Sequence, residues 1–364
     1  MTSPQTVGDM LLRRGVSRRA LLRYSAWLTS LMALPSAASK AMAQGLAETR
    51  RMSVIWLSFQ ECTGCTESLT RSYGPTIDDL IFDFISLDYH EALMAGAGHQ
   101  AEEARHKAMA DNPGKYVIIV DGSIPADNPA YSCAAGHSNL DVLEESAKDC
   151  MAVVAVGSCA TWGGLPKARP NPTGAVSVRE IVKDKPIINI PGCPPIPEAM
   201  TGTLAHILAF GSLPELDHLG RPLAFFGNSI HDRCYRRSFY DKGLFAKSFD
   251  DEGARKGWCL YELGCKGPIA YNACATLKWN GNTSWPVQSG HGCFGCASPN
   301  FWDNGGVYKP LPAAAVGLGG AIAAGAAGGA AAGYLANKMG RARREALPAK
   351  RIHVVETPPS DGQS

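Results

Sequence analysis

From Ser53 to about Phe210, short apolar runs alternate with stretches of helical spacing. Ser53–Leu57, Tyr116–Val120, Met151–Val156 and Ile187–Ile190 are almost unbroken and rich in Val and Ile. That is the pattern of strands buried on both faces of a parallel sheet. Phe82–Leu87 predicts a fifth strand, and Gln100–Ala110, Leu140–Lys148 and Pro197–Phe210 predict helices between them. Alternating strand and helix predicts an α/β fold, a doubly wound parallel sheet of the flavodoxin-like type, over residues 50–210. After about Gly211 the periodicity gives way to short Gly- and Trp-rich segments, which predict a second, loop-rich domain over 211–306.

The two ends read as lying outside that fold. Residues 1–43 have the form of an export signal. Arg18-Arg19 precedes a modestly apolar run from Tyr24 to Ala38, and Ala41-Met42-Ala43 offers small residues at the −3 and −1 positions of a cleavage site. The arginine pair marks the Tat route, which carries folded proteins across the bacterial inner membrane. At the other end no charged residue occurs from Pro310 to Asn337, and Lys338, Arg341, Arg343 and Arg344 follow. This run is long enough to span a bilayer, which needs about 20 residues. Its Ala and Gly content also suits a flexible linker. A C-terminal membrane anchor at 310–337, with 338–364 as a basic and polar cytoplasmic tail, is the expectation the positive-inside rule favours.

Lys plus Arg exceed Asp plus Glu by two, so no broad electrostatic attraction to nucleic acid is encoded. The twelve cysteines of the 364 residues change the picture more. Several stand as Cys-x-x-Cys in a chain too large to need disulfide staples, which points to metal. Cys62 and Cys65 follow the first strand, Cys159 the Met151–Val156 run and Cys193 the last strand. In a doubly wound sheet ligands bind at the carboxyl ends of the strands, so these four thiolates should converge. They suit a [4Fe–4S] cluster or a structural zinc. The scattered spacing favours iron and sulfide, because zinc usually takes ligand pairs close in sequence. In the second domain His231, Cys234, Cys259 and Cys265 offer an imidazole and three thiolates. Cys274, Cys293 and Cys296 form a set of three, which suits a [3Fe–4S] cluster. Cys133 and Cys150 remain, Cys150 reading as core filler.

With these residues assembled, the chain closely resembles the small subunit of the nickel–iron hydrogenases. The matching stretches are Glu61-Cys62-Thr63-Gly64-Cys65-Thr66-Glu67, Gly157-Ser158-Cys159-Ala160, Pro191-Gly192-Cys193-Pro194-Pro195, His231-Asp232-Arg233-Cys234, Gly257-Trp258-Cys259, Gly264-Cys265-Lys266-Gly267-Pro268, Asn272-Ala273-Cys274 and Trp285 to Cys296. The resemblance implies a proximal [4Fe–4S] cluster on Cys62, Cys65, Cys159 and Cys193, and a medial [3Fe–4S] cluster on Cys274, Cys293 and Cys296. It implies a distal [4Fe–4S] cluster on His231, Cys234, Cys259 and Cys265. It further implies that the nickel–iron centre lies on a separate large subunit, so that this chain is the electron-transfer half of a heterodimer. Electrons from H2 oxidation would then leave at the distal end for a cytochrome-type or other redox acceptor, on the periplasmic face of the inner membrane. The related subunit of respiratory NADH–quinone reductase shares the proximal domain but lacks the second cysteine-rich one. Oxygen-tolerant family members carry two extra proximal cysteines where this chain has Gly64 and Gly164, which implies an ordinary cubane cluster here.

Overall fold

The computed structural model describes residues 6–32, 34–303 and 308–311. Its centre is a five-stranded sheet of β1 (Met52–Ser58), β2 (Ile85–His90), β3 (Val117–Asp121), β4 (Ala152–Val156) and β5 (Ile187–Ile190). The spatial order is 2-1-3-4-5 and every pairing is parallel. This is the flavodoxin-like order, with the switch point between β1 and β3.

Side chains alternate across each strand, so the unbroken apolar runs feed two cores. Val54, Trp56, Val117, Ile119, Val154 and Ile190 face one side, against a long helix at Pro197–Phe210. Ile55, Leu57, Ile118, Val120, Val153 and Ala155 face the other, against helices at His99–Asp111 and Asn139–Ala147. Cys150 is buried in that second core, as filler.

The fifth strand differs from the expectation. Leu80–Phe84 forms a π-helical turn and β2 begins only at Ile85. Thr76 caps the preceding helical turn through its side chain, so the chain enters this stretch already wound. Phe82, read as a strand position, is exposed.

The N-terminal residues also differ from expectation. Rather than standing outside the fold, they form α1 (Val7–Arg13), α2 (Arg18–Leu31) and α3 (Ala38–Glu48). Val7, Leu11, Leu28, Met32, Met42 and Leu46 are buried in the same core as the sheet. The segment at 310–337, beyond Leu311, lies outside the described residues. Among the described residues no helix is long and apolar enough to cross a membrane.

From Gly211 onward regular structure is sparse. Helices of four or five residues are joined by loops, and isolated bridges such as Ser229 with Tyr271 and Phe245 with Cys259 replace strands. The apolar core here is small: Ile196, Ile230, Ala246, Leu260, Ala270, Cys274, Trp285 and Val287.

Candidate metal centres

The carboxyl ends of β1, β4 and β5 carry the first four cysteines. Cys62 and Cys65 flank the start of a helix at Gly64–Thr70, where Thr63 takes a left-handed conformation with φ 63°. Cys65 and Cys159 lie on helical first turns, Cys159 in the helix Gly157–Trp162 directly after β4. Cys193 follows β5 in the Gly-Cys-Pro-Pro turn. Gly157 has φ +81°, and a Cβ there would stand 2.4 Å from the Cys65 sulfur, so the two loops meet only because this residue has no side chain.

The thiols feel one another. Burial pushes the Cys65 thiol far up, Asp121 adds to this, and Cys159 and Cys193 contribute less. Cys159 is pushed up to about 11, chiefly by burial, with Cys62 contributing. Cys193 goes to about 12, burial first, and then Cys296, Cys159 and Cys62. Such thiols do not ionise unaided; a cationic metal core is what holds buried sulfurs as thiolates.

Two acidic groups that sequence reading passed over border this site. Asp121 ends β3 and is 1% exposed, with its carboxyl pushed up to about 7, chiefly by burial. One of its oxygens, like one of Glu61, is buried without a hydrogen-bond partner. Asp121 was legible in principle, as the polar residue closing an apolar run at the carboxyl edge of the sheet.

The second domain gathers the other two sets. His231, Cys234, Cys259 and Cys265 all line one small enclosure with Ile230, Leu260 and Val287. Burial lowers His231 to about 4, so its ring is neutral, and Tyr240 packs on it edge-on with centroids 4.4 Å apart. Burial raises Cys259 to about 12, and Cys265 and Cys234 add to this. Arg236, buried beside them, donates from Nη1 to the Trp258 carbonyl at 2.7 Å and from Nε to the Tyr235 hydroxyl at 2.8 Å, tying two ligand loops together. In the sequence it stands between Arg233 and Arg237, with no local sign of burial.

Cys274, Cys293 and Cys296 line a cleft of about 600 Å³ that also reaches Cys193 and is walled by Trp279, Trp285, Phe294 and Trp302. Burial raises the Cys293 thiol strongly, followed by Cys265, Cys296 and Cys274. Cys133 is exposed on a short hairpin and joins none of these sets.

The three sets touch in series. Ser158, beside Cys159, donates its hydroxyl to the Cys296 carbonyl and accepts from the Gly192 amide at 3.1 Å, linking the first set to the third. The Cys293 amide donates to the Cys265 sulfur at 3.2 Å, linking the third to the second. Among the described residues no three His, Cys, Asp or Glu side chains converge closely enough for a single metal ion.

Comparison with known proteins identifies the family. Residues 62–207 match the family described as NADH ubiquinone oxidoreductase, 20 Kd subunit, and residues 226–309 match the C-terminal domain family of the NiFe/NiFeSe hydrogenase small subunit. The chain is 47% identical over 312 residues to the uptake hydrogenase small subunit of Azotobacter vinelandii, covering 85% of this chain and 87% of that protein. It is 43% identical over 370 residues to the uptake hydrogenase small subunit of Afipia carboxidovorans, covering 99% and 100%. A solved structure of the Ni-Fe-Se hydrogenase from Desulfomicrobium baculatum superposes with TM-score 0.68 at 35% identity, over 72% of this chain and 100% of that one. The first family match alone fits a quinone-reductase subunit, but the second match and the near full-length relatives do not. The chain belongs to the nickel–iron hydrogenase small subunits.

Proposed function

We propose that this chain, the electron-transfer subunit of a nickel–iron hydrogenase, holds three iron–sulfur clusters in line. Cys62, Cys65, Cys159 and Cys193 would hold a [4Fe–4S] group, Cys274, Cys293 and Cys296 a [3Fe–4S] group, and His231, Cys234, Cys259 and Cys265 a second [4Fe–4S] group. The observation that carries this is the order in which the sets are joined, from Ser158 beside Cys159 to Cys296 and from Cys293 to Cys265. Bound clusters supply one-electron carriers at these points, and the protein supplies fixed spacing, exclusion of water and the sulfur donors. Trp279, Trp285, Phe294 and Trp302 keep the middle of the line apolar.

The H2-activating centre belongs to a large-subunit partner, which would lie against the open cleft. The Arg18-Arg19 segment fits Tat export, which delivers a folded metalloprotein to the periplasmic side. Residues 310–337 would anchor the enzyme there, and a cytochrome-type or other redox acceptor would take the electrons.

The test is to purify the full chain with whatever accompanies it and measure iron, acid-labile sulfide and nickel. Redox titration followed by electron paramagnetic resonance then counts the centres. A nickel-bearing partner and signals from two four-iron and one three-iron cluster are the expected result. A single cluster type, or zinc in place of iron, would overturn the assignment.

A further inference from the structure

The N-terminal helices pack too closely on the folded domain to be a passive leader. Helix α3 crosses the Pro197–Phe210 helix so tightly that a Cβ at Gly45 would stand 2.0 Å from the Ala209 carbonyl oxygen. Leu28, Met42 and Leu46 are fully buried in that contact layer. Leu31 approaches Gly202 on the same helix, and Trp27 lies over Gly74. Arg14 adds an ion pair at 2.7 Å to Asp83, whose side chain is 1% exposed.

Docking treats the two features of the export signal in opposite ways. Arg18 and Arg19 open α2 and are exposed. Met42 and Ala43, at the cleavage site, are buried in the middle of α3, at 0% and 6%. A protease must draw its substrate bond into an extended conformation, so a buried helical bond is cut only from a locally open state.

We propose that residues 7–48 form a docked cap that displays the arginine pair while withholding the bond after Ala43, and that undocking licenses the cut. The gate rests on the export reading above; the docking itself does not. The cap's occupancy of the Pro197–Phe210 face also shields that apolar face while the precursor is still in the cytoplasm.

The experiment uses the full-length chain, co-produced with its large subunit and purified from the cytoplasm with clusters intact. It is incubated with purified signal peptidase in detergent, and hydrogen exchange of residues 38–48 is followed in parallel. Ala209→Arg disrupts the cap from the body side and leaves the sequence around the cut untouched. Because cutting tracks the open population, it should speed cleavage at least about tenfold and abolish the protection of α3. Arg14→Ala, a milder surface change, should likewise speed cleavage and lower the protection of α3, and it carries the test if Ala209→Arg loses the visible absorbance of the folded holoprotein. Equal cleavage of wild type and variants, or unprotected α3 amides in the wild type, would overturn the proposal. A chain that is protected at α3, released by the variants, yet never cut keeps the docking and overturns the gate together with the export reading.

Discussion

The two halves of this molecule reach the same end, gathered cysteines, by opposite routes. In the first, β1, β3 and β4 are buried along their length and stand between two apolar cores. The sheet fixes where its strands end, and the cysteines of the first set follow from that. In the second, the local core cluster among the described residues is only eight buried residues, and one of them is Cys274. Cys234, Cys265 and Cys293 pack against that core as neighbours. There the candidate ligands are themselves part of the packing, so under the proposed assignment site and fold are inseparable. A scaffolded site should survive losing its metal, and a ligand-built one should not.

The largest effect should therefore come from removing iron. Anaerobic chelation of the holoprotein should make residues 211–303 exchange their amide hydrogens at near-unfolded rates while β1, β3 and β4 stay protected. Metal-coupled folding of this kind is worth on the order of 10 kcal/mol in small metal-bound domains. Equal protection of both halves after chelation would break the comparison.

The complementary change is made in the sheet. Ile118 is fully buried between β1 and β4 in the second core. Ile118→Ala should cost about 2–5 kcal/mol in chemical denaturation, as cavity formation does. The spectra of the second-domain clusters should be unchanged below the transition. Loss of those signals in native conditions would mean that the halves are not independent.

How much of this was readable from sequence follows the same division. The strand runs announced themselves, because a strand buried on both faces must be apolar throughout, and Ile187–Ile190 and Pro197–Phe210 were read to the residue. The candidate ligands were readable because the chemistry needs sulfur and the spacing places it at strand ends. Phe82–Leu87 misled because Phe82 and Phe84 mimic strand alternation on a π-helical turn. Ser158 and Arg236 were invisible because their roles depend on neighbours more than twenty residues away in sequence; Asp121 offered a signal, the one acid closing an apolar run, but its burial shows only in the fold. The docked N-terminus was missed because an amphipathic leader and an amphipathic surface helix have the same pattern.

Acid should find the sheet half through His90. This residue is fully buried; its Nδ1 accepts from the Ala92 amide at 3.1 Å, and Nε2 lies 3.2 Å from the Thr66 hydroxyl. Burial lowers its pKa from 6.5 to about 4. The native state thus resists a proton that the unfolded chain accepts. The stability is fully present above the ordinary histidine range and is lost as pH falls from there toward about 4. The loss approaches 1.4 kcal/mol per pH unit and about 3 kcal/mol in all. His90→Gln should flatten that part of the stability–pH curve relative to wild type. An unchanged slope would mean that other groups carry it.

At the first metal centre the two glycines should respond unequally to cysteine. Gly164 has φ +53°, and a Cβ there would stand 2.6 Å from the Cys159 sulfur and 2.8 Å from its backbone. Gly64 opens a helix, and its Cβ would stand 3.1 Å from the Cys62 sulfur and 4.0 Å from the Pro194 Cβ. Gly164→Cys should cost about 2 kcal/mol or more through strain and displacement of the Cys159 turn, and Gly64→Cys less than about 1. Thermal unfolding of the two holoproteins compares them directly, and equal losses would show that the turn around Cys159 yields.

The smallest change in stability, with a specific change in rate, is expected at His231. Its ring is neutral because burial lowers it to about 4, so a nitrogen lone pair is available at any working pH. Tyr240 holds the ring edge-on, and Arg236 ties the neighbouring ligand loops through Trp258. Removing the imidazole therefore leaves the enclosure standing on three cysteines, Cys234, Cys259 and Cys265. His231→Ala should slow H2-dependent reduction of an external dye about tenfold, equivalent to about 1.4 kcal/mol, with little change in melting temperature. Exchange of H2 with deuterated water needs only the partner's nickel–iron centre and should stay near wild type. His231→Cys restores a donor at the same place and should recover much of the dye reduction. Equal loss of exchange and dye reduction would place His231 in the structure of the enzyme and not in its electron exit.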